Sequence, residues 1–173
     1  MYLREIVIPN EVNVEVAGEK VKVSGTKGSL ERKFNLMGIK IEKKDNKVIV
    51  SSENERRKNK ALVGTTIAHT KNLIEGVTKG FVYKLRVVYS HFPIQIKVEK
   101  DKVLFLNFLG ERTSRIAKIV GGSQVKVEGV DITVSGIDLE SVGQTASNLE
   151  LATRRTGYDR KVFQDGCYIV SSE

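Results

Sequence analysis

The residues of this chain best suited to chemistry are cations gathered in two short runs. TRRTGYDRKVF sets Arg154, Arg155, Arg160 and Lys161 around Tyr158 and Phe163, and GERTSRIAK spaces Arg112, Arg115 and Lys118 three residues apart. Guanidinium forks match phosphate oxygens, and interleaved aromatic rings offer faces to ribose or bases. The chemistry these residues offer is recognition of a polyanion by charge and stacking. Net charge agrees, since 29 Lys and Arg against 21 Asp and Glu give +8 and an isoelectric point near 9.5. A basic surface of that kind favours nucleic acid as partner. Residues 1–82 hold 16 bases and 10 acids, and residues 83–173 hold 13 and 11. The second half is therefore less basic overall, yet it concentrates its charge in the two runs. A further run, Arg56, Arg57, Lys58 and Lys60, is explained equally well by a solvated helix start.

Other chemistries find little support. His69, His91 and Cys167 are far apart, and no CxxC, HxxxH or carboxylate-rich spacing suggests a metal site. Ser90 and His91 lack the nucleophile elbow of a hydrolase, and no Walker or Rossmann glycine pattern occurs. No enzyme activity and no cofactor are expected. One cysteine allows no internal disulfide, which fits a reducing compartment. MYLREIVIP has no apolar core of signal-peptide length, and no run approaches the roughly 20 apolar residues of a membrane span. A cytoplasmic protein without membrane contact is expected.

The elements that must position these cations read twice along the chain. Val12, Val14 and Val16 alternate, then Val21 and Val23 follow across a turn at Ala17-Gly18-Glu19-Lys20. Ile39 and Ile41 alternate, as do Val48 and Val50 beyond a turn containing Asp45-Asn46. Ser52-Glu53-Asn54-Glu55 fits a capping box, and Val63, Ile67, Thr70, Ile74 and Val77 then share one helix face, with Gly76 or Gly80 placed to end it. The order recurs after an offset of 82: Ile94, Ile96, Val98, Val103 and Phe105 match Val12, Val14, Val16, Val21 and Val23, and Gly110 matches Gly28. Val125 and Val127, Ile132 and Val134, and a helix capped by Asp138 with Leu139, Val142, Ala146, Leu149 and Thr153 on one face complete the second copy. The fold expected is α+β, two tandem duplicated domains over about 1–82 and 83–173, each an antiparallel sheet with one helix on a face.

Lys79-Gly80-Phe81-Val82-Tyr83 has the look of an RNA-reading strand, but the pattern from Phe81 argues otherwise. Phe81, Tyr83, Leu85, Val87 and Tyr89 alternate with Lys84 and Arg86, as in a half-buried strand whose aromatic face turns inward. The βαββαβ order of an RNA-recognition motif is missing. Gly25-Thr26-Lys27-Gly28 matches a GxxG backbone clamp, yet valine-rich strand pattern flanks it, so it reads as a turn between strands.

Three motifs then carry a resemblance over essentially the whole chain: NLIEGVTKGF at 72–81, YSHFPI at 89–94 and FQDGCYI at 163–169. The chain resembles the archaeal and eukaryotic branch of the large-ribosomal-subunit protein six family. That resemblance implies a non-catalytic constituent that binds large-subunit rRNA, chiefly through the second domain, near the sarcin–ricin loop and the stalk base. It implies neighbouring ribosomal proteins at the stalk base and translation factors docking nearby. The family signature carries over onto Lys161, Phe163, Asp165, Gly166 and Tyr168; an arginine is common at the place of Lys161, and an aliphatic residue at Cys167.

Overall fold

The computed structural model describes residues 2–34, 37–159 and 161–172. Two compact units divide the chain, Met1–Gly80 and Phe81–Glu173. No described helix is long and apolar enough to cross a membrane.

Unit 1 contains β1 (Tyr2–Val7), β2 (Asn13–Ala17), β3 (Lys20–Gly25), β4 (Gly28–Lys33), β5 (Lys40–Lys44), β6 (Lys47–Ser52) and α1 (Arg57–Thr78). Its strands form two antiparallel sheets, ordered β1-β6-β5 and β2-β3-β4. The period-two valines decide the packing. Val14 pairs with Val23 and Val16 with Val21, and α1 lies against β1, β3 and β6. Val14, Val21, Val23, Val48, Val50, Val63 and Val77 are fully buried, each contributing about 1.5–3 kcal/mol relative to exposure. Gly18, at φ 59°, begins the two-residue β2–β3 turn, a backbone region that L side chains avoid.

The start and end of α1 rest on different devices. Ser52-Glu53-Asn54-Glu55 is not a capping box, because the N-cap is Arg56 and no side chain caps it. Ser52 ends β6 instead, and its buried hydroxyl donates to the carbonyls of Gly38 and Asn54. At the other end, Lys79 and Gly80 both donate backbone N–H groups to Glu75 O, with Gly80 at φ 74°. The Thr26-Lys27 turn closes over the same helix end. Lys27 N–H donates to Val77 O at 3.0 Å, and the Lys27 ammonium donates to Lys79 O. A Cβ on Gly25 would stand 2.7 Å from Val77 Cγ2, which explains one glycine of the GxxG without any nucleic acid.

Unit 2 contains β7 (Phe81–Val88), β8 (Gln95–Val98), β9 (Lys102–Leu106), β10 (Arg115–Lys118), β11 (Gln124–Glu128), β12 (Asp131–Gly136), α2 (Leu139–Ala152) and β13 (Gly166–Ser172). Its sheets run β10-β9-β8 and β11-β12-β7-β13. The duplication is exact in register at the first hairpin, where Ile96 pairs with Phe105 and Val98 with Val103, 82 residues beyond their counterparts. Leu85, Val103, Phe105, Ile132, Val134, Val142, Ala146 and Leu149 form the core under α2. Asp138 caps α2, accepting from Glu140 N and Ser141 N at 3.4 and 3.1 Å.

β7 buries Leu85 and Val87 while Lys84 and Arg86 face out, and Tyr83 packs against the core. Tyr89 departs from the expected inward row. It lies past the end of the strand and is 43 % exposed. The Gly28–Gly110 equivalence also ends at the level of sequence. Gly28 opens β4, whereas Gly110 sits in a 3-10 turn, Phe108–Gly110, inside the eight-residue connection from β9 to β10.

Candidate nucleic-acid interface

Two segments of unit 2 have no counterpart in unit 1; one holds Arg112 and leads into β10, which bears Arg115 and Lys118, and the other contains the second basic run. The first is the connection 107–114, where unit 1 has only Thr26-Lys27 between paired strands. The second is 153–165, which leads from α2 to the additional strand β13. Glu111 ties them together. Its carboxylate accepts two bonds from Arg115, Nε to Oε2 at 2.8 Å and Nη2 to Oε1 at 2.7 Å, and one from Arg155 Nη1 at 2.8 Å. All three side chains are at most one-third exposed, so water screens these pairs less than ordinary surface bridges. The Arg115 hydrogen bonds hold the Glu111 carboxyl below its ordinary range, against the opposing effect of burial, with the charges of Arg115 and Arg155 adding.

Arg115 does more than pair with Glu111. Its Nη1 donates to the carbonyls of Ala152 and Arg154 at 3.2 and 3.1 Å, and its guanidinium lies 4.3 Å from the Phe108 ring centroid. The α2 C-terminus is thus satisfied by an arginine from β10, rather than by the side chains of Arg154 and Arg155 that follow the helix. Thr153 fixes the next step, donating to Glu150 O and accepting from Cys167 N at 2.8 Å. Burial pushes the Cys167 thiol up to about 12, so it serves as core.

The rest of 153–165 is held by stacking and by a buried acid. Arg155 lies over Tyr158 at 4.5 Å, Tyr158 meets Phe163 edge-on at 4.9 Å, and Phe163 stacks on His91 at 5.4 Å. Asp165, whose side chain is 1 % exposed, accepts from the Ser90 hydroxyl at 2.8 Å, from Ser90 N at 3.2 Å and from His91 N at 3.4 Å. Burial alone would raise the Asp165 carboxyl, but these bonds outweigh it and hold the group below its usual range. Ser90, His91 and Asp165 do come together, in an arrangement unlike a catalytic triad. The serine hydroxyl is within 2.8 Å of the acid as well as 3.0 Å of the imidazole, and the acid anchors backbone amides.

The expected site residues therefore separate by role. Arg112, Lys118, Arg154 and Lys161 are exposed, and their side chains have no hydrogen-bond or ion-pair partner among the described residues. Arg115, Arg155, Tyr158 and Phe163 form the internal framework, with Tyr158 45 % exposed at its edge. Arg160 lies outside the described residues. Between α2 and the loop is a pocket of about 250 Å³, lined in part by Leu109, Glu150, Arg154, Arg155, Tyr158 and Phe163. Among the described residues no group of His, Cys, Asp or Glu is placed to hold a metal ion. Sequence reasoning missed Glu111; its one signal is an acid four residues before Arg115 in an otherwise basic run.

Comparison with known proteins agrees with this duplicated layout. The family described as Ribosomal protein L6 matches the chain twice, over residues 8–80 and 92–166. The large ribosomal subunit protein uL6 of Sulfurisphaera tokodaii is 48% identical over 170 residues, covering 98% of this chain and 91% of that protein. The proteins of the same name from Ignicoccus hospitalis and Staphylothermus marinus are 50% and 52% identical, covering 96% and 95% of this chain and 92% and 91% of their own lengths. The family is one of structural proteins, not enzymes. Its pattern takes in the α1 exit, the 107–114 connection and the loop up to Gly166, and this chain belongs to the Ribosomal protein L6 family.

Proposed function

We propose that the chain is a structural constituent of the large subunit of the cytoplasmic ribosome, and that its second domain, 83–173, is the main rRNA-binding domain. One observation carries the site assignment. Of four exposed cations without side-chain partners among the described residues, Arg112, Arg154 and Lys161 lie in the two segments that unit 1 lacks, and Lys118 ends the strand that follows the first of them. Phosphate contacts from these residues supply affinity, and the folded RNA supplies specificity through its shape. The resemblance drawn from the three sequence motifs further supports a location near the sarcin–ricin loop and the stalk base. There the protein meets neighbouring ribosomal proteins and supports the region where translation factors dock.

The test is the triple variant Arg112→Ala, Arg154→Ala and Lys161→Ala, which removes charge without breaking any bond of the framework. Co-sedimentation with large subunits through a salt gradient should weaken, and the salt slope of rRNA binding should shrink by about 0.7–0.9 per lost contact. Unchanged binding by the folded variant overturns the site.

A further inference from the structure

We propose that Glu111 is a positioning residue for RNA binding, an acid within a basic surface that orders the 153–165 loop before RNA arrives. This rests on the reading of unit 2 as the rRNA-binding unit. The geometry is specific. A single carboxylate oxygen, Oε1, accepts from both Arg115 and Arg155, joining the end of β9–β10 to the loop that follows α2. From Arg155 the order passes by stacking through Tyr158 and Phe163 to His91, and Asp165 anchors the far end. Both ends of the loop are thereby fixed inside the protein, and Arg154 and Lys161 are held outward between them. An RNA that meets a loop already in its bound conformation does not have to order it, which raises affinity.

Charge alone predicts the opposite role. An acid beside phosphate-binding cations repels RNA, so removing it should tighten binding. The two accounts differ in sign, and Glu150 supplies the control. Glu150 lines the pocket that Arg155 also lines, but its carboxylate makes no hydrogen bond or ion pair with a described residue. Glu111→Gln and Glu150→Gln raise the net charge equally, and Glu111→Asp leaves it unchanged while shortening the reach to two guanidinium groups.

The experiment measures binding of the full chain to large-subunit rRNA at fixed salt, alongside amide hydrogen exchange of the free protein. Glu111→Gln should bind about tenfold more weakly despite its added charge, with faster exchange across 153–165. Glu111→Asp should weaken binding in the same direction, and it carries the test should the glutamine variant fail to fold. Glu150→Gln should bind as well as the parent or better. Binding by Glu111→Gln equal to or tighter than the parent overturns the proposal, as does weaker binding with unaltered exchange in the loop. Faster loop exchange in a series in which even the parent does not bind rRNA refutes the RNA-binding reading and leaves the ordering role of Glu111 standing.

Discussion

Unit 1 and unit 2 repeat the same hairpin register, each with its own helix and core, and they differ where the chain turns back toward the helix end. In unit 1 a two-residue turn, Thr26-Lys27, reaches Val77 and Lys79 and closes the end of α1 directly. In unit 2 the corresponding connection is eight residues long, and an arginine from β10 takes over the capping of α2. The extra length does not loosen the unit. It brings in Glu111, recruits Arg155, and leaves neighbouring cations facing solvent. Duplication thus supplied two equivalent frames, and the Glu111-centred arginine framework was added to one of them at the loops, where insertions disturb the core least.

The sharpest way to break this comparison is through the paired core positions. Phe105→Ala should destabilise unit 2 by about 3–5 kcal/mol, since its ring is fully buried. Its counterpart Val23→Ala should destabilise unit 1 by a smaller amount, about 2 kcal/mol. Denaturant unfolding followed by hydrogen exchange in each unit checks both values; equal losses would show that the two hairpins are not equivalent frames.

Acid should separate the units next. Asp165 and Glu111 have folded pKa values below their unfolded ones, so their stabilisation is fully present above the ordinary carboxylate values and is lost as pH falls from there through the lowered folded values. Asp165 is the one buried carboxylate among the described residues. The lowered acids of unit 1, such as Glu31 and Glu53, are exposed and screened. Exchange protection below about pH 4 should therefore fade first in unit 2, and Asp165→Asn should flatten that loss. Loss of both units together would remove the distinction.

The smallest effect sharpens the likeness. Gly64 and Gly143 occupy matching turns of α1 and α2, and a Cβ there would meet only Arg4 at 4.0 Å or the Tyr83 hydroxyl at 3.6 Å. Either glycine replaced by alanine should stabilise its unit by up to about 1 kcal/mol, measured by thermal unfolding. Destabilisation at Gly143 alone would mean that the Tyr83 side chain needs the space.

Much of this was legible in the sequence because period-two and helical patterns record burial directly. The 82-residue offset from Val14 and Val23 to Ile96 and Phe105 reappears as strand register, and Asp138 caps its helix as its position implies. The α1 start differs from its sequence pattern because Ser52 satisfies capping spacing while its hydroxyl is committed to Gly38, a partner 14 residues away. The site was legible by charge and only partly by role. Which arginines face inward depends on one acid, Glu111, reaching 44 residues along the chain, and Asp165 meets Ser90 across 75. Contacts of that separation leave no local pattern.

The placement of β13 has a consequence for how the protein is made. In unit 1 every strand and its helix lie within the first 80 residues, so all its partners have been synthesised when Gly80 is added. In unit 2 the opening strand β7 is central, with β12 on one side and β13 on the other. One flank of β7 therefore waits unpaired until Gly166–Ser172 has emerged, and the buried thiol and Asp165 anchor wait with it. Pairing across so many residues is slow to find. The unit with the two clustered basic runs is thus the last to close, with Leu85 and Val87 incompletely covered and an open strand edge exposed in the interim, the condition under which a nascent chain most readily associates with others.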